Sequence, residues 1–425
     1  MIIEVKVKNC FTFPEEIIFS LKADMRNKKF ASNVHQENGF NVLKSAGIYG
    51  ANNVGKTCLI KCIESIRNVL LNKENKIKSN IFQDNSVCEL SVTFLNRGKE
   101  YVYSFHYNPE EEEFLYEQFS EIQRDKYGNE KEEVHLLRDT VNRKFQANDK
   151  ELEKMLAMTS KNNVLIYLVD TEIFEELGKI REILVGFASK IDIVDMNRPP
   201  IRRTIELFKN QNKLQEKVVE FVKSADLDLE DFRYSTRDDF KIEKIISKSG
   251  KVDKEIREIP SEVIDQMRLT SVYKGKAVPS VLFDSIGTKK IVALASYIIE
   301  AIEEGRILVV DELDSSLHFK LTRAIVAMFN NELNSNAQMI FTVHDINLMD
   351  CKRLFRKEQV WFVHKDKEGV YVYSLADFTA AEGVRDTSDI MEKYRKGALG
   401  ALPEPELINS LLSIKGNKTK GEVNE

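Results

Sequence analysis

The sequence lacks the marks of a secreted, membrane-spanning or metal-clustered protein. Its five cysteines, Cys10, Cys58, Cys62, Cys88 and Cys351, form no CxxC pair. None sits near histidine at zinc-finger spacing, so reduced and mostly buried thiols are expected. No run of about 18 apolar residues occurs, which predicts no transmembrane helix. The opening MIIEVKVKN alternates polar and apolar residues and has no signal-peptide h-region, so a cytoplasmic protein is expected. Excess positive charge is missing too: the net charge is -5, and any nucleic-acid contact needs a local basic patch. There is no internal repeat, no H-N-H-like nuclease cluster and no guanine-reading N/TKxD motif. Of six histidines, His35, His106, His135 and His364 are scattered.

What is present is ordinary globular material. Hydrophobic residues make up 42%, charged residues 31% and aromatics 9% of 425 residues, enough for one elaborated domain or two to three domains. Ile3, Val5 and Val7 share one face of a strand, with Glu4, Lys6 and Lys8 on the other. Residues 17–21 read as its partner. Residues 88–107 alternate in two runs around Asn96, Arg97 and Gly98, a hairpin signal. From about 115 to 245 the chain is charged, poor in glycine and helical by period. Leu207, Leu214, Val218, Phe221 and Val222 make one helix face there, and Pro199 and Pro200 break the segment. From 278 an α/β pattern returns. Residues 307–310 are fully apolar, as a buried parallel strand is, residues 338–343 read as another buried strand, and a hairpin is expected around Glu368 and Gly369.

Residues 50–57, GANNVGKT, match G-x-x-x-x-G-K-[ST] between a strand and a helix. Gly50 and Gly55 let the backbone turn its N–H groups toward phosphates. Lys56 reaches the β- and γ-phosphates, and the Thr57 hydroxyl ligates Mg²⁺. The nucleotide contacts expected from this loop are Gly50, Asn52, Asn53, Gly55, Lys56, Thr57 and Cys58. The run 307–312, ILVVDE, ends a buried strand in two carboxylates, at the sheet edge where α/β folds bind ligands. Asp311 is the expected Mg²⁺ holder and Glu312 the residue that polarises an attacking water. Residues 338–344, QMIFTVH, end a neighbouring strand in His344, placed to hydrogen-bond the γ-phosphate. At 283–290, FDSIGTKK opens a helix. Ser285 and Gly287 there can bind phosphate, and Ser285 or Thr288 can equally act as a plain N-cap.

GANNVGKT, FDSIGTKK, ILVVDELDSSLH and FTVHD together resemble the ABC-type ATPase heads shared by the SMC, RecF and OLD families. They are most similar to the RloA-like (AbiLi-like) ATP-binding proteins of bacterial anti-phage operons. Residues 392–403 also resemble that group's C-terminal segment. The resemblance covers roughly 1–110 and 260–405. It implies an α/β fold: an ABC-ATPase-like P-loop head, with a mixed sheet and an antiparallel β subdomain, split by a largely helical insertion. The expected boundaries are 1–114 and 246–415 for the two parts of the head, 115–245 for the insertion, and 416–425 for a disordered tail.

The resemblance further implies ATP and Mg²⁺ held between two heads facing head to tail. Lys56, Asp311 and Glu312 come from one chain, while Ser285 and Gly287 contact the γ-phosphate bound to the other. Asp314 to His318 match the loop at the dimer seam, and Ile286 replaces the small or acidic residue usual before that glycine. Gln83, after the first helix, stands where a Mg²⁺-linking loop residue is expected. The implied role is a sensor or regulator of phage defence, a homodimer or higher homo-oligomer without membrane attachment. An RloB-like or other effector nuclease is the implied partner, and DNA, RNA or a phage component the trigger. The competing expectation is a DNA-repair or DNA-clamp ATPase. That would need Arg198, Arg202, Arg203, Lys209, Lys213 and Lys217 to form a basic surface.

Overall fold

The computed structural model describes residues 1–124, 129–225, 229–235, 261–367, 369–379, 381–385 and 388–402. Glu368, Pro403, the end of the expected insertion and the expected tail lie outside them.

The alternation at the N-terminus makes β1 (Ile2–Lys8), whose Val5 and Val7 are buried while Glu4, Lys6 and Lys8 are half-buried. It seeds a seven-stranded antiparallel sheet with β2 (Ile17–Ser20) on one side and β6 (Cys88–Asn96) on the other. The β6 hairpin closes on β7 (Lys99–Asn108) through Arg97 at φ 50° and Gly98 at φ 72°. Two left-handed residues are what a two-residue hairpin turn requires. β8 (Glu113–Arg124), β9 (Glu130–Asp139) and β10 (Lys144–Ala147) extend the same sheet outward.

Those three strands correct the expectation of helix from residue 115. Glu117 and Arg138 are fully buried and bonded to each other at 3.1 Å, so charged residues occupy core positions and hide the strand period. Helix begins later, with α2 (Lys150–Leu156), α3 (Leu165–Leu168) and α4 (Glu175–Ser189).

β3 (Val34–Glu37) and β4 (Phe40–Leu43) form a small ribbon before β5 (Ser45–Tyr49) and α1 (Lys56–Leu70). β11 (Ile191–Asp195) sits within the expected insertion, yet it is the edge strand of the central sheet. α5 (Arg202–Lys209) and α6 (Gln215–Ser224) follow, then β12 (Asp231–Tyr234), α7 (Ser261–Arg268), β13 (Leu269–Tyr273) and β14 (Lys276–Pro279). α8 (Ser280–Phe283) and α9 (Ile286–Glu304) lead to β15 (Ile307–Asp311), α10 (Phe319–Phe329) and β16 (Gln338–Thr342). β17 (Val360–Lys365), β18 (Val370–Ser374) and α11 (Ile390–Arg395) complete the described chain.

The central sheet runs β11-β15-β16-β5-β17-β18, parallel except for β18. β5, β15 and β16 are buried at every residue, which is why their sequences are apolar without alternation. One face packs through α1 and α4 onto the antiparallel sheet. The other packs on α9 and α10. The predicted face of Leu207, Leu214, Val218, Phe221 and Val222 spans α5 and α6, which pack with Phe232 and Leu269 against α9. The fold is thus mixed α/β, with the C-terminal ends of β5, β16 and β15 side by side.

Candidate functional site

β5 stops at Tyr49 because Gly50 takes φ 150° beside β17. A Cβ there would stand 2.3 Å from the Val363 carbonyl oxygen. Gly55, at φ 121°, lies against Thr12, whose Oγ1 would be 2.7 Å from a Cβ. Only glycine fits either position. Gly55 caps α1 without any side-chain bond to the first turn, so the helix's leading N–H groups face the loop. Such a helix start attracts an anion. Lys56 folds back over the loop, and its Nζ donates to Gly50 O at 2.7 Å and Ala51 O at 2.8 Å. Burial pushes its pKa down to about 8, against the opposing pull of Asp311, Glu312 and Asp314.

The carboxylates arrive from β15. Thr57 Oγ1 donates to Asp311 Oδ2 at 2.9 Å. The Thr342 hydroxyl, at the end of β16, donates to Asp311 Oδ1 at 2.6 Å and accepts the Glu312 N–H at 2.7 Å. Glu312 has φ 55°, a left-handed turn that throws its side chain off the strand axis. Thr342 therefore holds both acidic residues at once. Thr342→Val should cost about 1–3 kcal/mol by stranding the Glu312 N–H and one Asp311 oxygen. Urea unfolding measures this, and an unchanged midpoint would show the hydroxyl to be dispensable.

These elements enclose a cleft of about 710 Å³. Asn52, Asn53, Gly55, Lys56, Thr57, Cys58, Asp311, Glu312 and His344 all line it, and Gly50 underlies it through its bond to Lys56. Three expected residues are elsewhere. Gln83 is exposed in the loop between α1 and β6, its N–H bonded to Asn80 O at 3.2 Å, and it does not line the cleft. Ser285 caps α9, accepting the Thr288 N–H at 3.1 Å, and neither it nor Gly287 lines the cleft. Gly287 instead abuts the loop after β15, where a Cβ would come within 2.9 Å of Ser316 O.

The cleft also includes residues the motifs did not reveal: Thr12, Lys61 and Thr342. Lys61 lies one turn beyond Thr57 on α1, a spacing readable from the sequence. Thr342 closes a buried apolar run and was visible as its sole hydroxyl. Thr12 comes from the loop between β1 and β2, and no local signal marks it.

The donor set fits Mg²⁺. The described residues contain no group of three or more His, Cys, Asp or Glu that could cage a metal ion. Mg²⁺ needs no such cage: it takes one or two protein oxygens and completes its shell with phosphates and water. Thr57 Oγ1 and Asp311 Oδ2 are two hard oxygens already converged beside the anion-binding loop.

The match to a protein family agrees with this geometry. The family model described as "AAA domain, putative AbiEii toxin, Type IV TA system" matches residues 45–350. No curated protein matches the chain. Among solved structures, an SMC head domain from Thermotoga maritima is 14% identical at a TM-score of 0.42, covering 88% of this chain and 98% of its own. An SMC head bound to the C-terminal winged-helix domain of ScpA is 12% identical at a TM-score of 0.44, covering 90% and 99%. No helix among the described residues is long and apolar enough to cross a membrane. The family match spans well over half the chain, from the strand before the phosphate loop to beyond His344, and the chain therefore belongs to this AAA domain family of P-loop proteins.

Proposed function

We propose that this chain is an ATPase that encloses Mg·ATP between two copies arranged head to tail. In this reading it is the sensor or regulator of a bacterial anti-phage system, and a separately encoded nuclease does the damage. The ATPase reading is carried by one observation: the Thr57–Asp311–Thr342–Glu312 chain of bonds, which joins phosphate loop, acidic strand and His-ended strand in one cleft.

Each residue has a task there. The loop amides and Lys56 hold the phosphates, and bound phosphates favour the Lys56 charge that burial disfavours. Thr57 and Asp311 hold the ion, which screens charge on the phosphates. Glu312 accepts a hydrogen bond from water and orders it in line, and His344 donates toward the terminal phosphate. The work is positioning and electrostatics rather than covalent chemistry.

The dimer reading is supported by Ser285. It sits at an exposed helix start outside its own cleft, among Leu282, Phe283 and Ile286 at 52%, 62% and 67% exposure. An apolar rim around a phosphate-competent helix end suits burial against a second copy. Lys56→Ala and Ser285→Arg chains should each be inactive alone. Mixed in equal amounts they should recover about a quarter of wild-type turnover, since half the dimers then carry one intact site. No recovery on mixing would exclude assembly of the site from two copies.

The defence role is supported by the motif resemblance and by a family description that names a toxin–antitoxin system. The DNA-clamp reading draws less support. Four of its six basic residues are tied to acids: Arg202 to Glu206, Arg203 to Glu300, Lys209 to Asp265 and Lys217 to Glu303.

A further inference from the structure

The chain must turn as it leaves β16, and its N–H groups there need acceptors. Val343 N still reaches Ile48 O at 3.1 Å. The next two amides both go to one side-chain oxygen: His344 N and Asp345 N donate to Asp314 Oδ2 at 2.9 and 2.7 Å. Successive amides converging on a carboxylate form a charge-assisted nest. Asp314 Oδ1 is buried without a hydrogen-bond partner among the described residues. A buried carboxylate oxygen left unpaired is costly, and the two amide bonds to Oδ2 offset that cost.

The His344 side chain is exposed and has no hydrogen-bond or ion-pair partner among the described residues. Its backbone therefore sets the point from which the imidazole reaches. Asp314 follows Glu312 by two residues, and the Leu313 N–H between them binds Thr342 O at 3.0 Å. The one carboxylate therefore ties the turn bearing His344 to the turn bearing Glu312.

We propose that Asp314 is a positioning residue for His344: by holding the 344 and 345 amides it sets the imidazole's distance from the terminal phosphate of ATP. This rests on the ATPase reading above. The alternative is an ordinary turn cap, which would affect folding and leave His344 out of the account.

A double-mutant cycle separates the two. ATP turnover is measured for wild type, Asp314→Ala, Asp314→Asn, His344→Ala and the Asp314→Ala/His344→Ala pair, with thermal unfolding of each. Asp314→Ala should lower kcat roughly 10- to 100-fold, as misplacement by about 1 Å does, with KM within about twofold of wild type. Asp314→Asn keeps an acceptor oxygen and should retain most of kcat. In the His344→Ala background, Asp314→Ala should change kcat by less than about twofold. Losses that multiply in the double mutant would overturn the proposal, as would an Asp314→Asn variant no more active than Asp314→Ala. If Asp314→Ala does not fold, Asp314→Glu, which moves the acceptor by about one methylene, carries the same cycle. Wild type without turnover would remove the ATPase reading and this proposal together. Wild-type turnover with multiplying losses would remove this proposal alone.

Discussion

Glu312→Gln should bind ATP as tightly as wild type while its turnover falls about 10²–10⁴-fold. Glutamine matches glutamate in shape, and the Glu312 N–H bond to Thr342 belongs to the backbone, so the left-handed turn at φ 55° is preserved. In the proposed reading, what is lost is the negative charge that polarises the attacking water. The proposed phosphate contacts of the loop amides and Lys56, and the ion contact of Thr57, are left in place. Equilibrium ATP binding together with steady-state turnover tests this, and sedimentation reports whether the stalled protein accumulates as a dimer. Unchanged turnover would remove Glu312 from the chemistry. Lost binding would instead make it a structural acid.

Removing Arg138 should produce the largest loss of stability among the variants considered. Arg138 and Glu117 are both fully buried, and the guanidinium also donates to Ser160 O at 2.7 Å and Asn163 O at 2.9 Å. Glu117 in turn accepts from Tyr103 Oη at 3.0 Å and Leu165 N at 2.9 Å. Arg138→Met leaves a buried carboxylate without its cation, which costs about 3–5 kcal/mol. Pairing it with Glu117→Gln should restore much of that, because the amide still accepts the Leu165 N–H and carries no charge.

The loss should also depend on pH. Burial raises the Glu117 pKa, and Arg138 is the largest influence opposing the rise. Without Arg138 the pKa climbs further above its unfolded value. The folded variant then binds a proton more readily than the unfolded chain, so its stability rises as pH falls through that raised pKa toward the unfolded value. Urea titrations at pH 7 and pH 5 should show the gap to wild type narrowing at the lower pH. A gap that widens would mean Glu117 is not the group left exposed to the loss.

The same pair marks where the sequence stopped being readable. The phosphate loop, the strand ending in Asp311 and Glu312, and the strand leading to His344 were legible because each couples an apolar run to residues at one sheet edge. The β6–β7 hairpin was legible because Arg97 and Gly98 interrupt clean alternation. β8 and β9 were not, since Glu117 and Arg138 put charge at core positions and only their partnership makes that tolerable. β11 was missed because five residues directly after α4 carry no turn signal, and their neighbour β15 lies more than a hundred residues downstream. Thr342 and Asp314 act through hydrogen bonds at strand ends, which hydrophobic periodicity does not encode. Ser285 was legible as a helix start, but its own chain does not bring it to the cleft.

The order of strands in the central sheet also bears on how the protein is made. β5 carries the phosphate loop, yet its neighbours β16 and β17 are the only strands beside it. Both are synthesised about three hundred residues later. At about 5–20 residues per second, β5 waits roughly 15–60 s with two open edges after it leaves the ribosome. The antiparallel sheet has no such delay, since β1, β2, β6 and β7 emerge within the first 108 residues. An incomplete chain can thus hold a folded β subdomain and still have no nucleotide cleft. In a translating cell, the full set of cleft residues belongs only to chains that have grown past His344.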